Sequence, residues 1–270
     1  MNALSAELKP ESYALVKLGG SVITQENGEI DLANVISLCS EIAQYRFPLI
    51  LVHGGGYFMK RMLLDFNIKT DFFSVEQAPL AFHLRNSLIQ LNKVLVDTLQ
   101  EVGIHAIPIP AHSKFRSRNG KIVPDKSVSQ LLNVTMPKEG LPVLFGDVLD
   151  EEAGGFYFTS SDKIVSCLAK VHRPRIILFL SNVNGVYESF PPMTANESVL
   201  PVVTPNILDR LENNYDVGRG EIYGKLVEAI DCASQTDDCR IINGKVPGNL
   251  LGSLYGRLEV GTKILAEITQ

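Results

Sequence analysis

Two glycine-rich segments, each at the end of a short apolar run, carry residue types that suit phosphate binding. The first is Lys17-Leu18-Gly19-Gly20-Ser21, and the second is His53-Gly54-Gly55-Gly56. Glycine lets backbone N–H groups approach phosphate oxygens, and a helix N-terminus behind such a turn adds a favourable dipole. Either segment alone is equally consistent with a tight strand-to-helix turn. Two in one chain, one of them with a lysine, favour phosphate chemistry.

The elements that must position these loops alternate along the chain, with short apolar runs followed by segments of helical period. This pattern predicts an α/β fold with a largely parallel sheet. Strands are expected at 14–16, 49–52, 106–109, 142–145, 176–180 and 239–242, with an edge strand at 261–264; helices are expected at 32–45, 59–66, 80–102 and 223–234. A further helix begins at Ser160-Ser161-Asp162, and Asn119-Gly120 predicts a hairpin turn. In such sheets ligands bind beyond the carboxyl ends of the strands.

Composition excludes several function classes. The 270 residues carry a net charge of −5, which argues against a general nucleic-acid or anionic-membrane surface. The longest apolar runs are far shorter than the roughly 20 residues of a membrane helix, and the first ten residues lack the pattern of a secretory signal. We therefore expect a cytoplasmic protein. Four scattered cysteines suit reduced, buried thiols better than a metal site or disulfides, and we assign no metal ligands. They are Cys39, Cys167, Cys232 and Cys239.

Phosphoryl transfer depends mostly on positioning and on charge neutralisation by lysines, backbone N–H groups and Mg²⁺. Lys17 and Lys225 are the candidate lysines. From the residues alone, Lys17 could also be a surface residue, Lys225 a solvated helix residue and Asp162 a helix N-cap. His53 follows four apolar residues, and we interpret it as bonded to backbone rather than as a catalytic base.

The ordered series of motifs resembles the amino-acid-kinase superfamily and, within it, the isopentenyl phosphate kinases. The series is 17–24, 53–58, Leu91-Asn92, Pro108-Ile109-Pro110, Gly146-Asp147-Val148, 160–164, 183–187, Gly224-Lys225, Ile242-Asn243-Gly244, Pro247-Gly248-Asn249 and Gly261-Thr262. Each motif is common, but their order and spacing are specific. The resemblance implies a three-layer αβα sandwich that forms a homodimer. It also implies an N-terminal tail (1–12) and a single domain (13–270), with an acceptor lobe at 13–175 and a nucleotide lobe at 176–270.

The resemblance further implies a role for each site residue. Lys17 would lie beneath the transferred phosphate, Lys225 would approach the ATP phosphates, and Asp162 would hold both lysines. ATP and Mg²⁺ would be used without a covalent intermediate. The implied nucleotide contacts are Lys17, Gly19, Gly20, Ser21, Gly56, Ser181, Asn182, Tyr187 and Lys225. The implied contacts with a small anionic acceptor are Gly54, Gly55, Lys60 and Ser161, and Lys60 is also a catalytic candidate.

The chain departs from the family pattern at the acceptor site. Lys60 stands where the isopentenyl phosphate kinases have a histidine, and it keeps positive charge but has a longer stem and no titration near neutrality. Glu26 replaces a family lysine, and we hypothesise that it pairs with Lys60. Ser161 replaces a glycine. On the nucleotide side, Asn182 and Asn184 replace acidic residues, and the run 219–222 differs from the family sequence.

These departures leave the acceptor open. An apolar helix stripe could line a tunnel for a prenyl tail or belong to the core. The stripe consists of Phe82, Leu84, Leu88, Ile89 and Leu91, near Phe72 and Phe73. We favour a phosphate monoester such as isopentenyl phosphate; a phosphonate, as in the fosfomycin-resistance kinases, and a carboxylate are the alternatives. An inactive nucleotide- or oxyanion-binding protein and a dinucleotide-dependent oxidoreductase are the rivals outside this chemistry, and the spaced glycine fingerprint of the latter is missing.

Overall fold

The computed structural model describes residues 13–68, 70–129, 140–189, 198–212 and 221–266. In chain order the described strands are β1 (Ala14–Leu18), β2 (Leu49–His53), β3 (Phe72–Phe73), β4 (His105–Pro108), β5 (Phe115–Arg118), β6 (Lys121–Pro124), β7 (Gly140–Phe145), β8 (Asp147–Asp150), β9 (Phe156–Thr159), β10 (Ile176–Ser181), β11 (Val202–Val203), β12 (Asp238–Asn243) and β13 (Thr262–Ile264). The described helices are α1 (Gly20–Ile23), α2 (Leu32–Gln44), α3 (Gly56–Asp65), α4 (Ala78–Glu101), α5 (Ser161–His172), α6 (Pro205–Glu212), α7 (Glu221–Ala233) and α8 (Asn249–Leu254).

The central sheet has eight strands in the order β11-β13-β12-β10-β1-β2-β7-β4. The six strands from β12 to β4 are parallel, whereas β13 runs antiparallel to β12. The predicted α/β class with a largely parallel sheet is confirmed. The strand expected at the edge, β13, lies one position inside it, because the two-residue strand β11 covers its outer side.

Alternate residues of β1 point to opposite faces of the sheet, and each face buries its own core. On one face Leu15 packs in a cluster with Ile164 of α5 and Leu226 of α7. On the other face Val16 packs with residues of α2, α4 and α8, including Val35. Because helices cover both faces, the predicted three-layer αβα sandwich is also confirmed.

A smaller antiparallel sheet, in the order β3-β9-β8, lies apart from the central one. It packs with α3 and the first half of α4 around a third apolar cluster that includes Met59, Phe73 and Leu88. The sequence did not predict this sheet. Strands β5 and β6 form the predicted hairpin, in which Asn119 and Gly120 have φ of 51° and 71°, as a two-residue turn requires.

Helix ends follow the capping residues. Asp31 caps α2 by accepting a hydrogen bond from Asn34 N, and Ser160 caps α5 by accepting one from Lys163 N, each at 3.2 Å. The N-cap of α5 is therefore Ser160, and Asp162 lies inside the first turn. This leaves the Asp162 carboxylate available for another partner.

Candidate active site

Loops from five adjacent strands, β12, β10, β1, β2 and β7, meet at the carboxyl edge of the central sheet. The strand register places them side by side, and backbone hydrogen bonds continue the sheet one residue into the loops. These bonds join Gly19 N to Leu180 O at 3.0 Å, Gly54 N to Leu18 O at 3.0 Å, Gly146 N to His53 O at 3.2 Å and Gly244 N to Ser181 O at 2.8 Å. The sequence motifs at the strand ends therefore lie along one edge.

The two glycine-rich loops touch each other at Gly20 and Gly56. A Cβ built on Gly20 would overlap the backbone nitrogen of Gly56, and one built on Gly56 would overlap the carbonyl oxygen of Gly20. Thr24 fastens this contact, because its Oγ1 donates to Gly20 O at 2.9 Å and accepts from Tyr57 N at 3.0 Å. The loops therefore form one cradle rather than two independent turns.

The N-terminal turn of α5 packs against this cradle. A Cβ built on Gly54 would lie 3.2 Å from Ser161 Oγ, and one built on Gly146 would lie 2.9 Å from Ser161 N. Ser161, which stands where the family pattern has glycine, thus presents its hydroxyl to Gly54. The N-terminus of α5, a 12-residue helix, brings unpaired N–H groups and a positive dipole end beside the cradle. Together these features suit an oxyanion.

Lys17 and Asp162 form a buried ion pair at the base of the cradle. Lys17 is the fourth residue of β1, and its Nζ lies 3.0 Å from Oδ1 and 3.3 Å from Oδ2 of Asp162. Only 1% of the Lys17 surface is exposed, so the reading of this residue as a surface lysine is wrong. The pairing agrees with the expectation that Asp162 holds Lys17.

Lys225 is also buried, with 2% of its surface exposed, and its helix α7 packs against α5. It is therefore not a solvated helix residue. Glu228 follows one turn later, and burial raises the pKa of its carboxyl, with the charges of Asp231 and Asp162 acting in the same direction. The Glu228 carboxyl thus lies within electrostatic range of Asp162. Helices α5 and α7 together bring a buried lysine and several carboxyl groups to the same side of the sheet.

His53 is a structural residue, as the sequence indicated. Its ring is fully buried, stacks on Phe145 with centroids 5.5 Å apart, and lies with Nδ1 3.1 Å from Gly54 O and Nε2 3.0 Å from Asn92 Nδ2. The carbonyl and amide partners fix the neutral ring with its proton on Nδ1. Burial lowers its pKa to about 4, and the charge of Lys17 adds to this effect. His53 therefore holds the second loop and is not a base near neutral pH.

Lys60 and Glu26 are both exposed. The Lys60 ammonium lies over the Tyr57 ring, 6.0 Å from its centroid, and among the described ion pairs none joins it to Glu26. The neighbouring Arg61 approaches the Glu26 loop instead, with Nη1 3.4 Å from Asn27 O. The hypothesis of a Lys60–Glu26 pair thus finds no support in the geometry.

Residues expected on the nucleotide side lie at the end of β10. Ser181 is buried and Asn182 is exposed, while Tyr187 is half-buried. Asn184 Oδ1 accepts a hydrogen bond from Asn243 Nδ2 at 2.8 Å, which joins the loop after β10 to the end of β12. The divergent run 219–222 falls largely outside the described residues, so its expected contacts stay predictions.

The apolar stripe of α4 belongs mainly to the core. Leu84, Leu88 and Leu91 are buried, and Phe73 packs with the first two. Phe82, Ile89 and Phe72 are instead exposed. The stripe is therefore divided between core residues and exposed residues.

Sequence reasoning missed a polar cluster around Asp147. This fully buried carboxylate lies one residue beyond Gly146 and is contacted by His112 and Arg85. The quoted motif Gly146-Asp147-Val148 marked the position without revealing its partners, since those lie 35 and 62 residues away. Within the described ranges, no group of three or more His, Cys, Asp or Glu side chains is placed to hold a metal ion. The four cysteines are free thiols, and Cys167 is less buried than the other three.

The sequence of this chain is similar to a known protein family and to kinases of known name. A sequence model of the amino acid kinase family matches residues 12–243. The isopentenyl phosphate kinase of Methanothermobacter thermautotrophicus is 29% identical over 265 residues, covering 93% of this chain and 98% of the relative. The acetylglutamate kinase of Campylobacter jejuni strain RM1221 is 25% identical, covering 93% and 90%.

The fold is also similar to that of a solved kinase structure. An X-ray structure of isopentenyl phosphate kinase superposes with a TM-score of 0.79 at 26% identity, covering 93% of this chain and 99% of that one. No described helix combines the length and apolar character needed to cross a membrane.

Proposed function

Because the chain belongs to the amino acid kinase family, we propose that it transfers the γ-phosphoryl group of ATP to a small phosphate monoester such as isopentenyl phosphate. The observation that carries this proposal is the buried Lys17–Asp162 pair at the base of a two-loop glycine cradle. The match to isopentenyl phosphate kinases along nearly their whole length supports this acceptor class.

Each group in the cradle has a role in the proposed transfer. In phosphoryl transfer the charge is spread over the oxygens of the migrating group, so fixed positive charge and N–H donors stabilise the transition state. Lys17 supplies the charge beneath that group, and Asp162 holds its ammonium in place. The N–H groups of the glycine loops and of the first turn of α5 orient the phosphates. Lys225 neutralises charge on the nucleotide from the C-terminal side.

The nucleotide is proposed to lie over the part from 176 to 270 and the acceptor over the part from 13 to 175. Two features suit phosphate groups. The cradle has no room for a Cβ at Gly20 or Gly56, and two lysines are buried. Mg²⁺ commonly keeps several waters and binds through substrate phosphates, and we propose that it reaches the site with ATP. When bound, it would offset phosphate charge. A homodimer also remains a proposal, which light scattering of the purified protein tests.

The test is acceptor-dependent ADP release from Mg·ATP by the purified protein. The panel holds isopentenyl phosphate, dimethylallyl phosphate, fosfomycin, other small phosphates and amino-acid carboxylates including N-acetylglutamate. Robust turnover with isopentenyl or dimethylallyl phosphate supports the proposal. Selective turnover of a phosphonate or carboxylate would show that the acceptor belongs to that class instead. ATP binding without ADP release stimulated by any acceptor would show a nucleotide-binding protein rather than a kinase.

A further inference from the structure

The ring of His112 is held at the carboxyl edge of the sheet by a buried carboxylate. His112 lies in the short helical turn after β4, and its Nδ1 is 2.7 Å from Asp147 Oδ2, which also accepts a hydrogen bond from His112 N at 2.9 Å. The other oxygen, Oδ1, accepts from Val148 N at 2.8 Å. Arg85 Nε lies 3.9 Å from Oδ1 and balances the charge of Asp147.

This geometry fixes which nitrogen of His112 faces outward. A carboxylate accepts hydrogen bonds, so Nδ1 carries a proton and donates it to Asp147. Nε2 makes no hydrogen bond or ion pair within the part of the chain that the structure describes. The side chain is 27% exposed, in contrast to fully buried Asp147. His112 therefore presents one oriented nitrogen that is open to a ligand.

The pair lies next to the acceptor side of the cradle. Asp147 directly follows Gly146, which packs against Ser161 N, and Ser161 Oγ packs against Gly54. Gly54 and Ser161 are residues that the family resemblance assigns to the acceptor, and both lie in the part from 13 to 175 over which we propose that it binds. Asp147 is therefore one residue along the backbone from a glycine that packs against Ser161.

We propose that His112, held by Asp147, binds the anionic group of the acceptor. The proposal rests on the proposed function. A neutral ring accepts a hydrogen bond at Nε2 from a monoprotonated phosphate, and a protonated ring donates one to a dianion. His112 would supply at this edge the imidazole that the family resemblance places at Lys60, where this chain has an exposed lysine over Tyr57.

Two variants separate ligand binding from a structural role. In His112→Asn the side-chain amide reaches Asp147 in place of Nδ1 but offers nothing where Nε2 lies. In His112→Gln the amide extends toward the Nε2 position. His105→Asn is the matched control, because this exposed histidine lies at the start of β4, at the opposite edge of the sheet. The measurements are KM for isopentenyl phosphate, kcat, KM for ATP, and calorimetric binding of isopentenyl phosphate without ATP.

The expected result is a rise of about tenfold or more in the acceptor KM and dissociation constant for His112→Asn, the size typical of a lost hydrogen bond to a charged group. His112→Gln should recover part of this loss, and kcat and KM for ATP should stay within about twofold. Unchanged acceptor binding in His112→Asn, or equal loss in kcat and ATP binding, would overturn the proposal. If the unaltered protein binds isopentenyl phosphate without turnover, the kinase proposal fails while the binding data still decide the role of His112. If it does not bind this acceptor at all, both proposals fail.

Discussion

Lys17 Nζ contacts both carboxylate oxygens of Asp162, although the two residues are 145 positions apart in the sequence. Only 2% and 11% of their side-chain areas are exposed. Removing two charges from water costs several kcal/mol per ion, and a buried ion pair often adds little net stability. The pair is therefore better explained by the chemistry of the adjoining cradle than by folding.

Lys17→Met should lower kcat by about 10²- to 10³-fold, the size typical of losing one fixed group that stabilises transition-state charge. The variant removes the ammonium and keeps an unbranched side chain. Lys93→Met is the control, because Lys93 is exposed and forms an ion pair with exposed Asp97. Steady-state kinetics under saturating ATP and acceptor measure the effect. Near-normal turnover in Lys17→Met would contradict the proposed mechanism.

The effects of replacing Lys17 and Asp162 on protein stability should be strongly coupled in a double-mutant cycle. Lys17→Met and Asp162→Asn should each lower the free energy of unfolding by about 3 kcal/mol, since each leaves the partner charge buried and unpaired. The double variant should lose much less than the sum of the two. Urea unfolding at pH 7 measures all four proteins. Additive losses would show that the two groups do not depend on each other.

The sequence predicted the central sheet because its signals are local. Apolar runs of strand length, glycine clusters and the Asn119-Gly120 turn are each readable within a few residues. The short strands β3 and β11 have two residues each, too few for any periodicity. Strand β8 begins two residues after β7 ends, and β9 ends directly before Ser160, the N-cap of α5, so neither strand has a separate local signal.

The candidate site was only partly predictable for a similar reason. The cradle and Lys17 lie within motifs, but the partners of buried carboxylates come from distant parts of the chain. Glu41, for example, caps α8 by accepting hydrogen bonds from Gly248 N and Leu251 N, each at 2.8 Å, across more than 200 residues. Such pairs are made by tertiary packing, and no local spacing encodes them.

His53 should make stability depend on pH below neutrality. Because its pKa falls from 6.5 to about 4 on folding, the unfolded chain binds one more proton between these values, so acid favours unfolding. The stability contribution is complete above about pH 6.5 and is lost as pH falls toward 4, by up to about 3 kcal/mol. Urea unfolding of the unaltered protein and of His53→Gln from pH 7.5 to 4.5 measures the contribution of His53 as the difference between the two stability curves. Burial also lowers the pKa of His172, but this residue is present in both proteins, so its effect cancels. Parallel curves would show that His53 titrates normally.

Lys60 and Glu26 should act independently. Lys60→Ala should raise the acceptor KM if its ammonium guides the anionic substrate, whereas Glu26→Ala should have little effect. The double variant should then combine the two effects within about 0.5 kcal/mol of additivity, as expected for side chains that do not touch. Arg61→Ala controls for the loss of a neighbouring positive charge. A double variant no more impaired than either single variant would instead support the hypothesis that the two pair in the working protein.

The contact between the glycine loops should make Gly20 far more sensitive to substitution than Gly224. A methyl group on Gly20 would overlap the backbone of Gly56, so Gly20→Ala must push the loops apart, and we expect a loss of about 2 kcal/mol or more in unfolding free energy and a large fall in turnover. Gly224 lies in α7 beside Lys225, and outside its chain neighbours and helix backbone no atom of the described residues lies within 4 Å of its added Cβ. Gly224→Ala should therefore stabilise the protein by about 0.5–1 kcal/mol, because alanine restricts the unfolded chain and favours helix. Denaturant unfolding and acceptor-dependent ADP release compare the two variants. If Gly20→Ala kept full activity and stability, the two loops would not need to touch, and the cradle would not be the unit that holds the transferred phosphate.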